Sequence, residues 1–98
     1  MVIPKRVIVQ GVAHTVEEHK FNDDTNGMCV SELGRILIKK SLCEDKKKQT
    51  FLHELIHAIE NSNNAIDELS EIQVEMLATG LHTFMRDNKK VIEWLTTK

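Results

Sequence analysis

Cysteine is scarce: Cys29 and Cys43 are the only two, they do not form a C-x-x-C pair, and two are too few for a disulfide framework. Reduced, partly buried thiols in a cytosolic protein are the expectation. No stretch approaches the ~20 apolar residues of a membrane-spanning helix. Met1-Val2-Ile3-Pro4-Lys5-Arg6 contains no apolar run of signal-peptide length, so a cytoplasmic location is expected. Basic excess is also missing. Thirteen Lys and Arg face fifteen Asp and Glu, for a net charge of −2, which argues against nucleic acid as a partner. The run Lys46-Lys47-Lys48 is local and reads as solvated helix surface. There are no repeats, no low-complexity tails, no nucleophilic serine elbow and no phosphate loop.

What remains is an ordinary soluble composition, 41% apolar and 29% charged, in 98 residues. That length is one domain with a thin core, for which a bound metal adds useful stability.

The first half reads as strand. Lys5–Gln10 is β-branched and partly alternating, and Gly11 interrupts it as a bulge or turn would. Val12–Glu17 continues the strand or pairs with another. Asn22-Asp23-Asp24-Thr25-Asn26-Gly27 is a dense turn signal ending in Asn-Gly, the strongest short hairpin dipeptide. Met28–Glu32 is a short strand, Gly34 punctuates, and Arg35–Lys39 is the clearest strand. About three antiparallel strands follow. The second half reads as helix. Ser41-Leu42-Cys43-Glu44 has the form of a capping box, with Asp45 a second candidate cap. Beyond about Lys46, Phe51, Leu52, Leu55, Ile56 and Ile59 form one apolar stripe, and Asn61-Ser62-Asn63-Asn64 ends the helix. A second helix spans about Glu68 to Arg86, with Val74, Leu77, Ala78, Leu81, Phe84 and Met85 on one face. A short third helix covers Lys89–Leu95, with Trp94 expected to seal it onto the core. The fold class expected is α+β.

Chemistry concentrates in His53-Glu54-Leu55-Ile56-His57. Two histidines four residues apart project from the same side of a helix, one turn apart, and can meet one Zn²⁺ at about 2.0–2.1 Å each. Glu54 sits where its carboxylate reaches a water on the metal rather than the metal, and can take that water's proton as it attacks a polarised carbonyl. This is the H-E-x-x-H arrangement of zinc metallopeptidases. The histidines point roughly opposite to the apolar stripe, so the helix can floor a cleft. A catalytic zinc needs a third protein ligand and an open position. Candidates are Glu68, Glu71 and Glu75, with Asp67 further out. Glu71 and Glu75 lie one turn apart, so one can bind the metal while the other supports a ligand. His14, His19 and His82 have no partner spacing and read as surface or packing residues, His82 being the one that shares a flank with Glu71 and Glu75.

Lys48–Ile59, then Leu69–Leu81 and Arg86-Asp87-Asn88, together with the strand Arg35–Ile38, resemble the small zincin-like metallopeptidases encoded by bacterial phages and prophages. These are distantly like the domain that cleaves repressors in mobile elements. The resemblance covers about Gly34 to Asn88. It implies a minimal zincin-like domain, with a short antiparallel sheet, an active-site helix and a glutamate-bearing helix. It makes His53 and His57 the ligands and Glu54 the general acid/base. The third ligand falls in Ser70–Ala78, with Glu75 favoured and Glu71 the alternate ligand or support. It also makes Gly34–Lys39, through Arg35, Ile36 and Leu37, the sheet edge that binds a peptide or protein substrate in extended form. Zinc is the expected cofactor, though such sites take several divalent ions. The competing expectations are a non-catalytic, metal-stabilised regulatory or interaction module, and a small binder whose histidines are incidental. An intact Glu54 favours the enzyme, because a purely structural site has no use for that carboxylate.

Overall fold

Gln10 and Gly11 both take positive φ (48° and 83°), which turns the chain through a two-residue hairpin between Val9 and Val12. Gly11 therefore closes a hairpin rather than bulging one strand. The computed structural model describes residues 2–65 and 67–98. Strands β1 (Arg6–Val9), β2 (Val12–His19), β3 (Gly27–Val30) and β4 (Arg35–Lys39) are followed by helices α1 (Glu44–Ser62), α2 (Glu71–Asp87) and α3 (Lys89–Thr96). The architecture is α+β, as the patterning indicates.

The sheet differs in detail from the expectation. It has four strands in the order β1-β2-β4-β3, and it is mixed: β2 and β4 run parallel, while β1–β2 and β3–β4 are antiparallel. Parallel neighbours need a connection of about a dozen residues or more, and the segment from 20 to 34, which contains β3, supplies it. Alternation along a strand marks its two faces but not its neighbours, so periodicity could not see this pairing. Asn26-Gly27 is accordingly no hairpin tip. Gly27 opens β3, and β3 pairs with β4 rather than with the strand before it.

β4 lies in the middle and supplies the core. Ile36 and Ile38 are fully buried, packed with Val16 and, more peripherally, Val7, Cys29, Leu42 and Phe51. Helix α1 covers this cluster, contacting β1, β3 and β4, and its other side packs on α2 through Ile56, Leu52, Val74 and Ala78. α1 is thus the middle layer between the sheet and α2. The expected capping box at Ser41–Glu44 does not form, since the helix begins at Glu44 after Cys43 with no side-chain cap. Glu44 and Asp45 instead complement the dipole in the first turn. α2 carries the true capping box. Ser70 Oγ accepts from the Gln73 amide, and the Gln73 side chain accepts from the Ser70 amide. Glu68 and Asp67 therefore precede α2 rather than belong to it.

On α2 only Val74, Ala78 and His82 are buried. Leu77, Leu81 and Phe84, expected on the core face, are about two-fifths exposed, because the buried line of the helix runs through Val74, Ala78 and His82 to one side of them. Trp94 does not seal anything: it is 73% exposed, and α3 buries no residue. No helix among the described residues is long and apolar enough to cross a membrane.

Candidate metal centre

Nineteen residues of regular helix in α1 hold His53 and His57 one turn apart, with ring centroids 5.0 Å from each other. The start of α2 lies across from them. There, Glu71 spans the pair, its Oε2 2.9 Å from His53 Nε2 and its Oε1 3.0 Å from His57 Nε2. One ligand atom from each of His53, His57 and Glu71 lies within 4.8 Å of the others, a separation that small side-chain adjustments bring to the ~3.3 Å between donors around a tetrahedral zinc.

The remaining ring nitrogens are also engaged. His53 Nδ1 donates to Glu75 Oε2 at 2.8 Å, and His57 Nδ1 donates to Glu60 Oε1 at 2.9 Å. Glu60 is buried, and its second oxygen accepts from the Leu69 amide at 3.1 Å. With a metal on Nε2, the carboxylate on Nδ1 would accept the remaining ring proton and hold the imidazole in orientation. Both Nε2 atoms face Glu71. Of the two glutamates expected to compete for the third-ligand position, Glu71 reaches both histidines on that side. Glu75 reaches only the outer nitrogen of His53, and Lys46 Nζ stands 3.7 Å from its other oxygen.

Glu54 projects from α1 toward β3, where it is buried against Gly27 and Thr50. Burial pushes its carboxyl above the ordinary glutamate range. The nearby His53 and His57 oppose that shift, and Glu71 and Glu75 add to it. The glycine at 27 has a steric cause. A Cβ there would stand 2.6 Å from Thr50 Cγ2 and 3.1 Å from Glu54 Oε2, so only glycine lets the strand pass this close to the carboxylate. The three side chains His53, His57 and Glu54 line one open cleft of about 420 Å³, whose other walls are Gly27–Cys29 of β3 and Glu71 and Glu75 of α2.

Arg35, Ile36 and Leu37 do not line this cleft. Arg35 pairs with Glu17 at 2.7 Å, while Ile36 and Leu37 are buried. Both edges of β4 are already paired, with β2 and with β3, so no peptide strand can add there. The assignment of substrate binding to Gly34–Lys39 is thus corrected by topology. The sheet edge beside the cleft is β3, which has no second partner strand among the described residues. Glu60 was missed in the sequence although it stands three residues after His57, a helical neighbour spacing. His14, His19 and His82 lie outside the cluster: His14 Nδ1 bonds the Val12 carbonyl, His19 packs edge-on against Phe21, and His82 is buried.

No family model, no curated protein and no solved structure matches this chain.

Proposed function

We propose that the chain is a zinc-dependent peptidase of the zincin type, hydrolysing peptide bonds at the cleft between α1, α2 and β3. One observation carries the reading: both histidines have Nδ1 taken by a carboxylate, and both Nε2 atoms converge with Glu71 beside a buried glutamate. In this reading His53, His57 and Glu71 are the ligands, and Glu75 and Glu60 orient the two imidazoles. A bound zinc would polarise a substrate carbonyl and acidify a water at its open position.

The protein's own groups supply the rest. Glu54, with its proton affinity raised by burial, takes a proton from the attacking water and returns it to the leaving amine. The free edge of β3 takes the substrate backbone as an added strand, with main-chain hydrogen bonds giving affinity whatever the side chains. Lys46 at the cleft wall supplies a positive charge for an acidic group on the substrate.

The test is elemental analysis of protein purified without a histidine tag, beside His53→Ala and Glu54→Gln. We expect about one zinc per chain in the wild type and in Glu54→Gln, and none in His53→Ala. Hydrolysis of a fluorogenic peptide library should occur only in the wild type. Absence of zinc from the wild type after reconstitution would overturn the metal site. Zinc without hydrolysis on any peptide would instead favour a metal-stabilised interaction module.

A further inference from the structure

Three parts of the chain meet around a second cavity, of about 350 Å³. Ile3 and Pro4 of the N-terminal segment form one wall, Phe51 and Leu52 of α1 another, and His82 and Met85 of α2 the third. On α1, Lys48, Phe51 and Leu52 follow the i, i+3, i+4 pattern of one helix side, while His53 and His57 project from a different side into the metal cleft. No residue lines both cavities. The volume falls within the ~300–1,000 Å³ of small-molecule sites, and apolar walls with a few polar groups are their usual make-up.

His82 is the polar group that the packing does not account for. It continues the buried line of Val74 and Ala78 on α2, a place where leucine would pack without loss. The residue is only 8% exposed, yet its buried Nδ1 has no hydrogen-bond partner among the described residues. Most buried polar atoms in native proteins are paired, because leaving one unpaired is costly. With no hydrogen bond holding that nitrogen, the imidazole can turn about its ring torsion and present it to a group in the cavity.

Charge on the walls narrows what that group is. Lys47 is neutralised by Glu18 at 2.6 Å, and Glu44 complements the helix dipole in the first turn of α1. Lys48 is exposed and has no carboxylate at ion-pair distance among the described residues. We propose that the cavity binds a small monocarboxylic acid with an unbranched apolar tail, of the medium-chain fatty-acid class. The tail lies against Ile3, Pro4, Phe51, Leu52 and Met85, and the carboxylate accepts hydrogen bonds from His82 and Lys48. A carboxylate satisfies the unpaired nitrogen and the free ammonium together. A plain hydrocarbon satisfies neither, and an amine is repelled by Lys48.

Titration of sodium octanoate into the ¹⁵N-labelled full chain, followed by amide chemical shifts, tests this. Saturable shifts are expected at Phe51, Leu52, His82 and Met85, with those of His53, His57 and Glu71 unmoved. From butanoate to octanoate the affinity should rise about fourfold per methylene as the tail is buried. 1-Octanol should bind about tenfold more weakly than octanoate, since it carries no charge for Lys48. His82→Leu removes the unpaired nitrogen and should fold at least as stably as the wild type, while binding octanoate about tenfold more weakly. Lys48→Gln should lose severalfold. No saturable shift in the millimolar range overturns the proposal. Shifts confined to the metal cleft or to the outer face of α2 overturn it by placing the acid elsewhere. Octanol binding as tightly as octanoate, or an unchanged affinity in His82→Leu, overturns the carboxylate assignment. Zinc content and peptide hydrolysis do not enter any of these outcomes.

Discussion

Glu60 holds two things at once, the Nδ1 proton of His57 and the amide of Leu69, where the chain enters α2. One buried carboxylate therefore orients an imidazole and fixes the loop that delivers Glu71. Replacing it with Gln keeps the size but exchanges a charged acceptor for a neutral amide. We expect Glu60→Gln to weaken zinc binding about 10–100-fold, the usual loss when such a support is removed, as read by competition with a chromophoric chelator. An unchanged affinity would mean that His57 needs no orienting partner. Cys29 offers an independent probe of the cleft wall. Burial raises its thiol above the ordinary range, with the Glu54 charge adding to the effect, whereas Cys43 is exposed. A raised pKa leaves less thiolate at pH 8, so iodoacetamide should modify Cys43 first. The lag of Cys29 should shrink as pH climbs and its thiolate fraction grows, which mass spectrometry over a labelling time course would follow.

At the scale of the element, α2 is the helix with most at stake in its first turn. Glu71 is its first residue, so a frayed start would carry that carboxylate away from His53 and His57. Ser70→Ala removes the cap that prevents fraying. It should cost about 1 kcal/mol, a fall of roughly 4–8 °C in Tm for a chain this size, together with a measurable loss of zinc affinity. Much of this layer was readable in the residues alone. Strong apolar periodicity gave the two long helices, and the four-residue spacing of His53 and His57 gave the shared face. The contribution of α2 was readable only to within a pair. Glu71 and Glu75 are one turn apart, and the choice between them depends on how α2 is rotated against α1, which the small residues Val74 and Ala78 decide by letting the helices approach closely. Which sheet edge is free beside the cleft was unreadable for a related reason. Arg35–Lys39 is apolar because it is central, and the same apolarity cannot say whether a strand's edge is free.

Across the whole molecule, the candidate ligands tie α2 to the layer beneath it. α1 contributes two of them and α2 the third, while the direct apolar contact between these helices is a small cluster around Ile56, Val74 and Ala78. Metal binding at the folded site is then folding free energy. Zinc at a hundred times its Kd would add about 2.7 kcal/mol. Stripping it with a chelator should lower Tm by on the order of 10 °C, measured by calorimetry, and His53→Ala should show no such dependence on the chelator. A wild type whose melting ignores the chelator would show that the histidine cluster contributes nothing to stability as a metal site.

The strand order β1-β2-β4-β3 also constrains the sequence of events by which the chain reaches this state. The β1–β2 hairpin needs only its two-residue turn, so it can form early and alone. β3 has no such freedom, since its partner strand β4 follows it in the chain and must also pair with β2. On a growing polypeptide, the strand that walls the cleft therefore stays unpaired until residues 35–39 have emerged. The strip of backbone proposed to hold a substrate is thus among the later parts of the sheet to become ordered.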